Sequence, residues 1–188
     1  SYGTGFRAPS YFELFGAIPA FNFVGNPDLK AERSRGWDAG VEWKPSENII
    51  MDVTWFANRI RNLIDFSPAN IGKATTRGVE LSAQGKICGD SLSWRGCYTW
   101  QQASDDVTGV PLVRRARHRA SLDLMSRPAE GLMVGAGLSY ADGIEDNDFS
   151  SFPSVRKALE EILLLRAYCT YQITESVSLH GRVENLLD

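Results

Sequence analysis

Trp37-Asp38-Ala39-Gly40-Val41-Glu42-Trp43-Lys44 is the stretch that decides the fold. Its apolar residues fall on every second position, Trp37, Ala39, Val41 and Trp43, against Asp38, Gly40, Glu42 and Lys44. A period of two is the mark of a strand with one apolar face. The alternation returns downstream in Ile49, Met51, Val53, Trp55 and Ala57, and again in Val79, Leu81 and Ala83. It continues through Leu92–Trp100, Ala120–Leu124, Leu132–Tyr140, Leu163–Tyr171 and Val177–Val183. With the short segment Tyr2–Arg7 this gives about nine strands and a chain that is close to all-β.

The connections sort by length. Lys44–Glu47, Lys86–Asp90, Ser126–Glu130 and Thr174-Glu175 are short, whereas Ala8–Lys30, Arg59–Ala69, Gln101–Pro111 and Ala141–Glu160 are long. Short and long in strict alternation means antiparallel neighbours with tight turns at one end and large loops at the other, the layout of an outer-membrane barrel. Trp43, Tyr98, Trp100, Tyr140 and Tyr171 lie near strand ends on the apolar face, where interfacial aromatic girdles belong. The opposite face carries Glu80, Arg95, Asp123, Arg166, Arg182 and Glu184, charges that a small dry core excludes and a wide wet lumen accepts. A soluble β-sandwich whose polar face meets water is the alternative that periodicity alone leaves open.

Composition narrows the classes further. The 188 residues are 43% hydrophobic and carry a net charge of −3, from 20 Lys+Arg against 23 Asp+Glu, so no basic excess points to nucleic acid. No apolar run approaches the ~18 residues of a membrane-crossing helix, and no signal peptide is visible at Ser1–Gly5. The start, without Met and in mid-pattern, reads as that of a fragment. Cys88, Cys97 and Cys169 are odd in number and show neither disulfide nor metal spacing, which leaves them as small buried or lipid-facing residues. His118 and His180 have no Cys or carboxylate at ligand spacing, so no metal site is expected. Ser93 and Ser121 lack nucleophile-elbow glycines, Gly3-Thr4-Gly5 is no phosphate loop, and no catalytic residue or cofactor is expected.

Four motifs carry a family resemblance. Ser1-Tyr2-Gly3-Thr4-Gly5-Phe6-Arg7-Ala8-Pro9-Ser10 with Glu13-Leu14-Phe15 resembles a strand-and-loop motif of TonB-dependent receptors. Gly25-Asn26-Pro27-Asp28-Leu29-Lys30-Ala31-Glu32 resembles the segment that follows it there, with Ala31 standing where the family usually has Pro. Thr76-Arg77-Gly78-Val79-Glu80 resembles a mid-barrel strand, and Val183–Asp188 resembles the opening of the last extracellular loop. Within the family, Val110–Ala116 and Ser150–Pro153 most resemble the cobalamin receptor.

The resemblance implies an antiparallel transmembrane β-barrel of about 22 strands with a plug inside it. Residues 1–188 are then the C-terminal portion of that barrel, without plug, TonB-binding box or closing strand. The implied function is TonB-dependent import across the bacterial outer membrane of a scarce large ligand, cobalamin or a metal chelate such as an iron–siderophore complex. TonB is reached through parts that precede this chain, and the other partners are outer-membrane lipid and lipopolysaccharide, with no nucleic acid and a monomeric state. A passive porin or adhesin barrel is the rival within membranes.

Ligand contacts are expected in the long loops. In the cobalamin receptor an arginine of the matching motif lies near bound ligand, so the resemblance makes Arg114 the first candidate and Arg115 its neighbour. Arg114, Arg115, Arg117 and Arg119 can equally be lumen charges paired with Asp and Glu, or contacts to lipopolysaccharide phosphates. Phe21 and Phe23 can grip an apolar ligand rim or pack on their own loop. Asp142–Asp148 is an acidic loop that either holds calcium through its oxygens or is simply solvated. Val155–Leu165 has near-helical spacing, so a short helix there is a further option.

Overall fold

A computed structural model of the chain describes residues 1–21, 23–64, 69–87, 91–150 and 153–187, without the side chains of Phe21 and Ile71. In chain order, β1 is Tyr2–Arg7, α1 Tyr11–Phe15, β2 Ala17–Ile18, β3 Phe23–Val24, β4 Glu32–Ser46, β5 Ile49–Ile64 and β6 Asn70–Ile87. Then follow β7 Leu92–Asp105, β8 His118–Ala129, β9 Leu132–Asp142, β10 Glu145–Asp148, β11 Val155–Ala158, β12 Ile162–Thr174 and β13 Val177–Glu184. Nine of these form one sheet in the order β1-β4-β5-β6-β7-β8-β9-β12-β13. The loops hold two small hairpins, β2-β3 and β10-β11. No second sheet faces the first among the described residues, and the β-sandwich alternative falls on that point.

Strands of 11 to 18 residues from β4 to β9 match or exceed the ~9–11 that cross a bilayer. Several overrun the sequence reading. Arg59–Ile64, expected as loop, continues β5, and Gln101–Asp105 continues β7. The expected loop Ala141–Glu160 is partly the β10-β11 hairpin, whose register joins Glu145 to Ala158 and Asp148 to Val155. That pairing replaces the helix considered for Val155–Leu165, because a cross-strand ladder satisfies the backbone where local spacing alone does not. Among the described residues the short turns are as expected between β4 and β5, β8 and β9, and β12 and β13, whereas most of Lys86–Asp90 lies outside them. Gly131 (φ 73°) closes the turn between β8 and β9, and Pro128 sits beside a register shift between Ser126 and Ala129.

Backbone packing divides the chain into two compact units. The first comprises Ser1–Ala39, Trp55–Gly78 and Gln102–Leu112. Its small apolar centre includes Phe23, Leu29, Ile64, Ala74 and Ala103. The second comprises Gly40–Thr54, Val79–Gln101 and Val113–Asp188, and its faces are set by register. Leu122 pairs with Leu138, which pairs with Leu165, and Leu124, Ala136, Ala167 and Val183 form the next row. These rows remain open to the outside, Leu122, Leu124, Leu138 and Val183 among them. An unshielded apolar sheet face of this extent needs lipid against it. Cys169 belongs to this face, opposite Val134, whereas Cys97 pairs with Ser121 on the polar face; both are free and exposed, so Cys97 is neither buried nor lipid-facing. Cys88 lies outside the described residues.

The polar face of the second unit is a ladder of partnered charges. Arg95 donates to Gln84 Oε1 from Nη2 at 2.8 Å, and its register partner is Asp123. Asp123 forms an ion pair with Arg166 although β9 runs between their strands. Gly137 makes the crossing possible, because a Cβ there would stand 2.5 Å from Arg166 Nε and 2.7 Å from Asp123 Oδ1. Two residues along, Tyr168 lays its ring over Gly135 in the same manner. Arg182 pairs with Glu184. These charges are each matched by a neighbour, as a wet interior lined by fixed side chains requires.

Candidate functional site

The segment between β1 and β4 is built on a capping box. Ser10 accepts from the Glu13 backbone N–H at 3.2 Å, and the Glu13 carboxylate accepts from the Ser10 N–H at 2.6 Å, which starts α1. After the helix, Gly25 N–H donates to Gly16 O at 2.7 Å and Asn26 N–H to Glu13 O at 2.8 Å, folding the chain back on itself. Asn26 Oδ1 takes the Asp28 N–H at 2.9 Å, and Leu29 is only 9% exposed. Arg7 lies between Glu13 and Glu32, donating from Nη1 to Glu13 at 3.1 Å and to Glu32 from Nη2 at 2.8 Å and Nε at 2.9 Å. Glu32 also receives the Ile64 N–H at 2.8 Å, and Asn70 binds both Lys30 and the Asn62 carbonyl. The sequence reading took Ala8–Lys30 as loop and passed over α1, although the Ser10-x-x-Glu13 spacing is a capping signal that could have found it; the Arg7–Glu32 knot gives no local signal, since its members are 25 residues apart.

Phe23 is 8% exposed and stacks on Phe12 with ring centroids 4.8 Å apart, so its ring is taken up by packing of the loop. Phe21 ends a short 3-10 turn, Pro19–Phe21, and its side chain lies outside the described residues, as does Asn22.

The Glu13 carboxyl is held below the usual range, first by the Ser10 backbone N–H, then by the Ser10 hydroxyl and Arg7. A carboxyl with a lowered folded value stabilises above its unfolded value and stops doing so as pH falls through the folded one. The loop is therefore expected to hold unchanged down to about pH 5 and to loosen below about pH 4, the unfolded glutamate value being ~4.3. Protease cleavage within residues 8–31 of the complete receptor across that range is the measurement, and a flat profile down to about pH 3 contradicts it.

Arg114 and Arg115 follow the turn after β7. There Asp105 Oδ1 accepts from Val107 N–H at 2.6 Å and Thr108 N–H at 3.2 Å, and Gly109 takes φ 72°. Arg114 itself has φ 59°, the only described residue other than Asn and Gly with positive φ, a conformation worth roughly 1–2 kcal/mol of strain. It is held there by its N–H donating to Glu145 O at 2.7 Å and its Nε to both Asp146 oxygens at 3.0 Å. Arg114 accordingly draws the Asp146 carboxyl below its ordinary range. Arg115 is exposed and has no partner among the described residues. Arg117 binds the Asp142 carbonyl through its N–H, and Arg119 pairs in register with Thr99 and Ala141 on the polar face. Strained non-glycine backbone held in place by its surroundings is a feature of ligand-binding segments.

The acidic loop is drawn into the same hairpin. Asp142 Oδ1 accepts from the Gly143 N–H, Glu145 pairs with Arg156, Asp146 with Arg114, and Asp148 takes the Ser150 N–H at 2.9 Å. Among the described residues no three His, Cys, Asp or Glu side chains converge as a metal ligand set. His118 Nδ1 meets the Tyr98 hydroxyl at 2.8 Å, and His180 lies between Thr170 and Ser178 at 3.0 and 2.9 Å, both within local strand networks.

Residues 1–186 match the family described as TonB dependent receptor-like, beta-barrel. Among solved structures, the siderophore receptor PirA from Pseudomonas aeruginosa shares 20% identity over the whole chain, with a TM-score of 0.75, and the chain spans 32% of it. A mutant ferric enterobactin receptor from Pseudomonas aeruginosa, in complex with enterobactin, gives 19%, 0.78 and 32% over the whole chain. The copper transporter OprC gives 16%, 0.76 and 30%, again with the chain covered in full. The chain thus spans about a third of the length of these structures, and at such identities the likeness establishes the fold alone. With the nine antiparallel strands, the lipid-facing apolar rows and a match over residues 1–186, the chain belongs to the TonB-dependent receptor family of bacterial outer-membrane β-barrels.

Proposed function

We propose that this chain is the C-terminal part of the barrel of an importer driven through TonB, and that the whole receptor takes up an anionic metal chelate of the iron–siderophore kind. The observation that carries the reading is the free, exposed Arg115 beside Arg114, which the β10-β11 hairpin holds in a left-handed conformation. Guanidinium groups suit the charged oxygens of a ferric chelate. Cobalamin, the other ligand consistent with the family, presents only a phosphodiester and asks less of paired arginines. In either case the ligand passes without a bond being made or broken, so the protein acts as a transporter and needs no catalytic residue or cofactor. TonB contacts parts of the receptor beyond these residues, and the receptor works as a monomer. Membership of the family sets the passive porin and adhesin readings aside.

In the complete receptor, the double variant Arg114→Ala/Arg115→Ala is expected to bind ferric siderophore about tenfold more weakly, a charge-assisted hydrogen bond being worth ~1.5–3 kcal/mol. Ligand titration by tryptophan fluorescence reads the affinity, and iron-limited growth reads uptake. Unchanged affinity for ferric chelates together with lost cobalamin-dependent growth transfers the function to cobalamin.

A further inference from the structure

Arg114 is gripped from two sides and left open on a third. Its N–H donates to the Glu145 carbonyl at 2.7 Å, and the Arg117 N–H donates to the Asp142 carbonyl at 2.9 Å. The two bonds stand three residues apart on both segments, so the β10-β11 hairpin lies in register against residues 114–117 and brings Asp146 to the Arg114 side chain. There Arg114 Nε donates to both Asp146 oxygens at 3.0 Å. The carboxylate is aimed from its own side as well: Asp146 Oδ1 accepts the Asn147 N–H at 2.8 Å, and the side chain is only 25% exposed. The other carboxylates of the hairpin are engaged elsewhere, Glu145 by Arg156 and Asp148 by the Ser150 N–H.

A guanidinium group carries five N–H donors in one plane. Asp146 takes the one on Nε, and among the described residues neither terminal nitrogen of Arg114 has a hydrogen-bond partner. The Arg114 side chain is 69% exposed. Its Nη1–Nη2 edge is the fork that matches two oxygens of one anionic group. Arg7 shows the opposite case, with Nε and Nη2 on Glu32 and Nη1 on Glu13, so that its donors are consumed inside the fold. The φ of 59° at Arg114 is a further sign of constraint, since an arginine takes that conformation only where its surroundings impose it.

We propose that Asp146 is the positioning residue of Arg114: it holds the guanidinium by Nε and presents the Nη1–Nη2 fork, already ordered, to an anionic group of the imported chelate. Asp146 has this role only if Arg114 and Arg115 meet the ligand, on which the function proposed above rests. A long side chain that is free before binding loses conformational freedom when it binds. The hairpin imposes that order in advance. The sign of the effect separates positioning from plain charge. A carboxylate beside the site repels an anionic chelate, so neutralising it would by Coulomb's law alone tighten binding. Positioning requires that binding weaken.

The test uses the complete receptor, titrated by tryptophan fluorescence with ferric enterobactin and with ferric citrate. Asp146→Asn is expected to weaken whichever of the two binds the wild type by about fivefold, the cost of ordering the arginine then falling on the ligand. Asp146→Glu, which keeps the carboxylate one methylene further out, is expected to recover part of that loss. In an Arg114→Ala background Asp146→Asn is expected to change nothing further, which general damage to the hairpin would not give. Asp148→Asn removes the same charge from the same hairpin without touching Arg114, and is expected to bind at least as tightly as wild type. Affinity unchanged or raised in Asp146→Asn, with Arg114→Ala still weakened, overturns the positioning role and leaves the import function standing. Affinity unchanged in both variants removes the arginine site itself and this role with it. Equal losses in Asp146→Asn and Asp148→Asn overturn it in favour of general disruption of the hairpin. Phenylglyoxal, which closes across two guanidinium nitrogens, reads the fork without any ligand. Wild-type Arg114 is expected to be modified about as fast as Arg115, followed by mass spectrometry of peptides, and an Arg114 that stays unmodified overturns the proposal.

Discussion

Gly25→Ala is expected to open the segment between β1 and β4 while leaving the strands intact. An added Cβ at Gly25 would lie 2.7 Å from Leu14 C, 2.7 Å from Phe15 N and 2.8 Å from Gly16 N. These are backbone atoms at the end of α1, so no side-chain rotation relieves the overlap. The chain must either break the 2.7 Å bond from Gly25 N–H to Gly16 O or push the helix away from Phe23. Forced overpacking costs ~1–3 kcal/mol and the lost hydrogen bond about 1 kcal/mol, roughly 3 kcal/mol in all. That corresponds to a rise of about a hundredfold in the opened population, since ~1.4 kcal/mol is a factor of ten. Limited proteolysis of the complete receptor reads it as faster cleavage within residues 8–31. Gly3→Ala is the control, because a Cβ there meets nothing within 4 Å. Equal cleavage rates for the two variants would show that the loop does not pack as described.

The strands were legible because lipid imposes a strict rule: in β9 Leu132, Val134, Ala136, Leu138 and Tyr140 keep one face in register with its neighbours, and Met133 is the one large apolar residue on the other. The ends of β5 and β7 were not legible for the same reason reversed. The same face of β5 changes from Trp55 and Ala57 to Arg59 and Arg61, so the apolar signal stops while the backbone ladder continues to Ile64. A reading that follows apolarity ends the strand where the arginines begin. The β10-β11 hairpin was hidden because its strands are four residues each, too short to show a period of two, and the contact that ties it to Arg114 spans 32 residues. Arg114 was reached through a motif, but its restraint by Asp146 and the freedom of Arg115 needed the fold. Phe23 shows the converse: an aromatic in a loop offers the same signal for ligand and for packing, and only its stack on Phe12 assigns the ring.

Glu32→Ala is expected to be the most damaging single change at a charged residue of the first unit, because three donors converge on one carboxylate. Arg7 Nε and Nη2 reach it at 2.9 and 2.8 Å and the Ile64 N–H at 2.8 Å, joining β1, β4 and the end of β5. Hydrogen bonds to a charged group contribute ~1.5–3 kcal/mol each. A plain sum overstates the loss, since the Arg7 side chain is 48% exposed and its share is screened, and Arg7 retains Glu13. About 3 kcal/mol is the expected total, with the Ile64 N–H as the group left without an acceptor. Arg7→Ala is expected to cost only about 1 kcal/mol, because Glu32 still holds Ile64. The double variant is then expected to cost little more than Glu32→Ala alone, a coupling of about 1 kcal/mol. Hydrogen exchange at the Ile64 amide separates the two roles: protection persists in Arg7→Ala and is lost in Glu32→Ala. Loss of protection in both variants would mean that Arg7 positions the carboxylate and the knot opens as one unit. Protection retained in both would remove Glu32 as the acceptor for Ile64, and with it the account of how two motifs 25 residues apart close the mouth end of β1, β4 and β5.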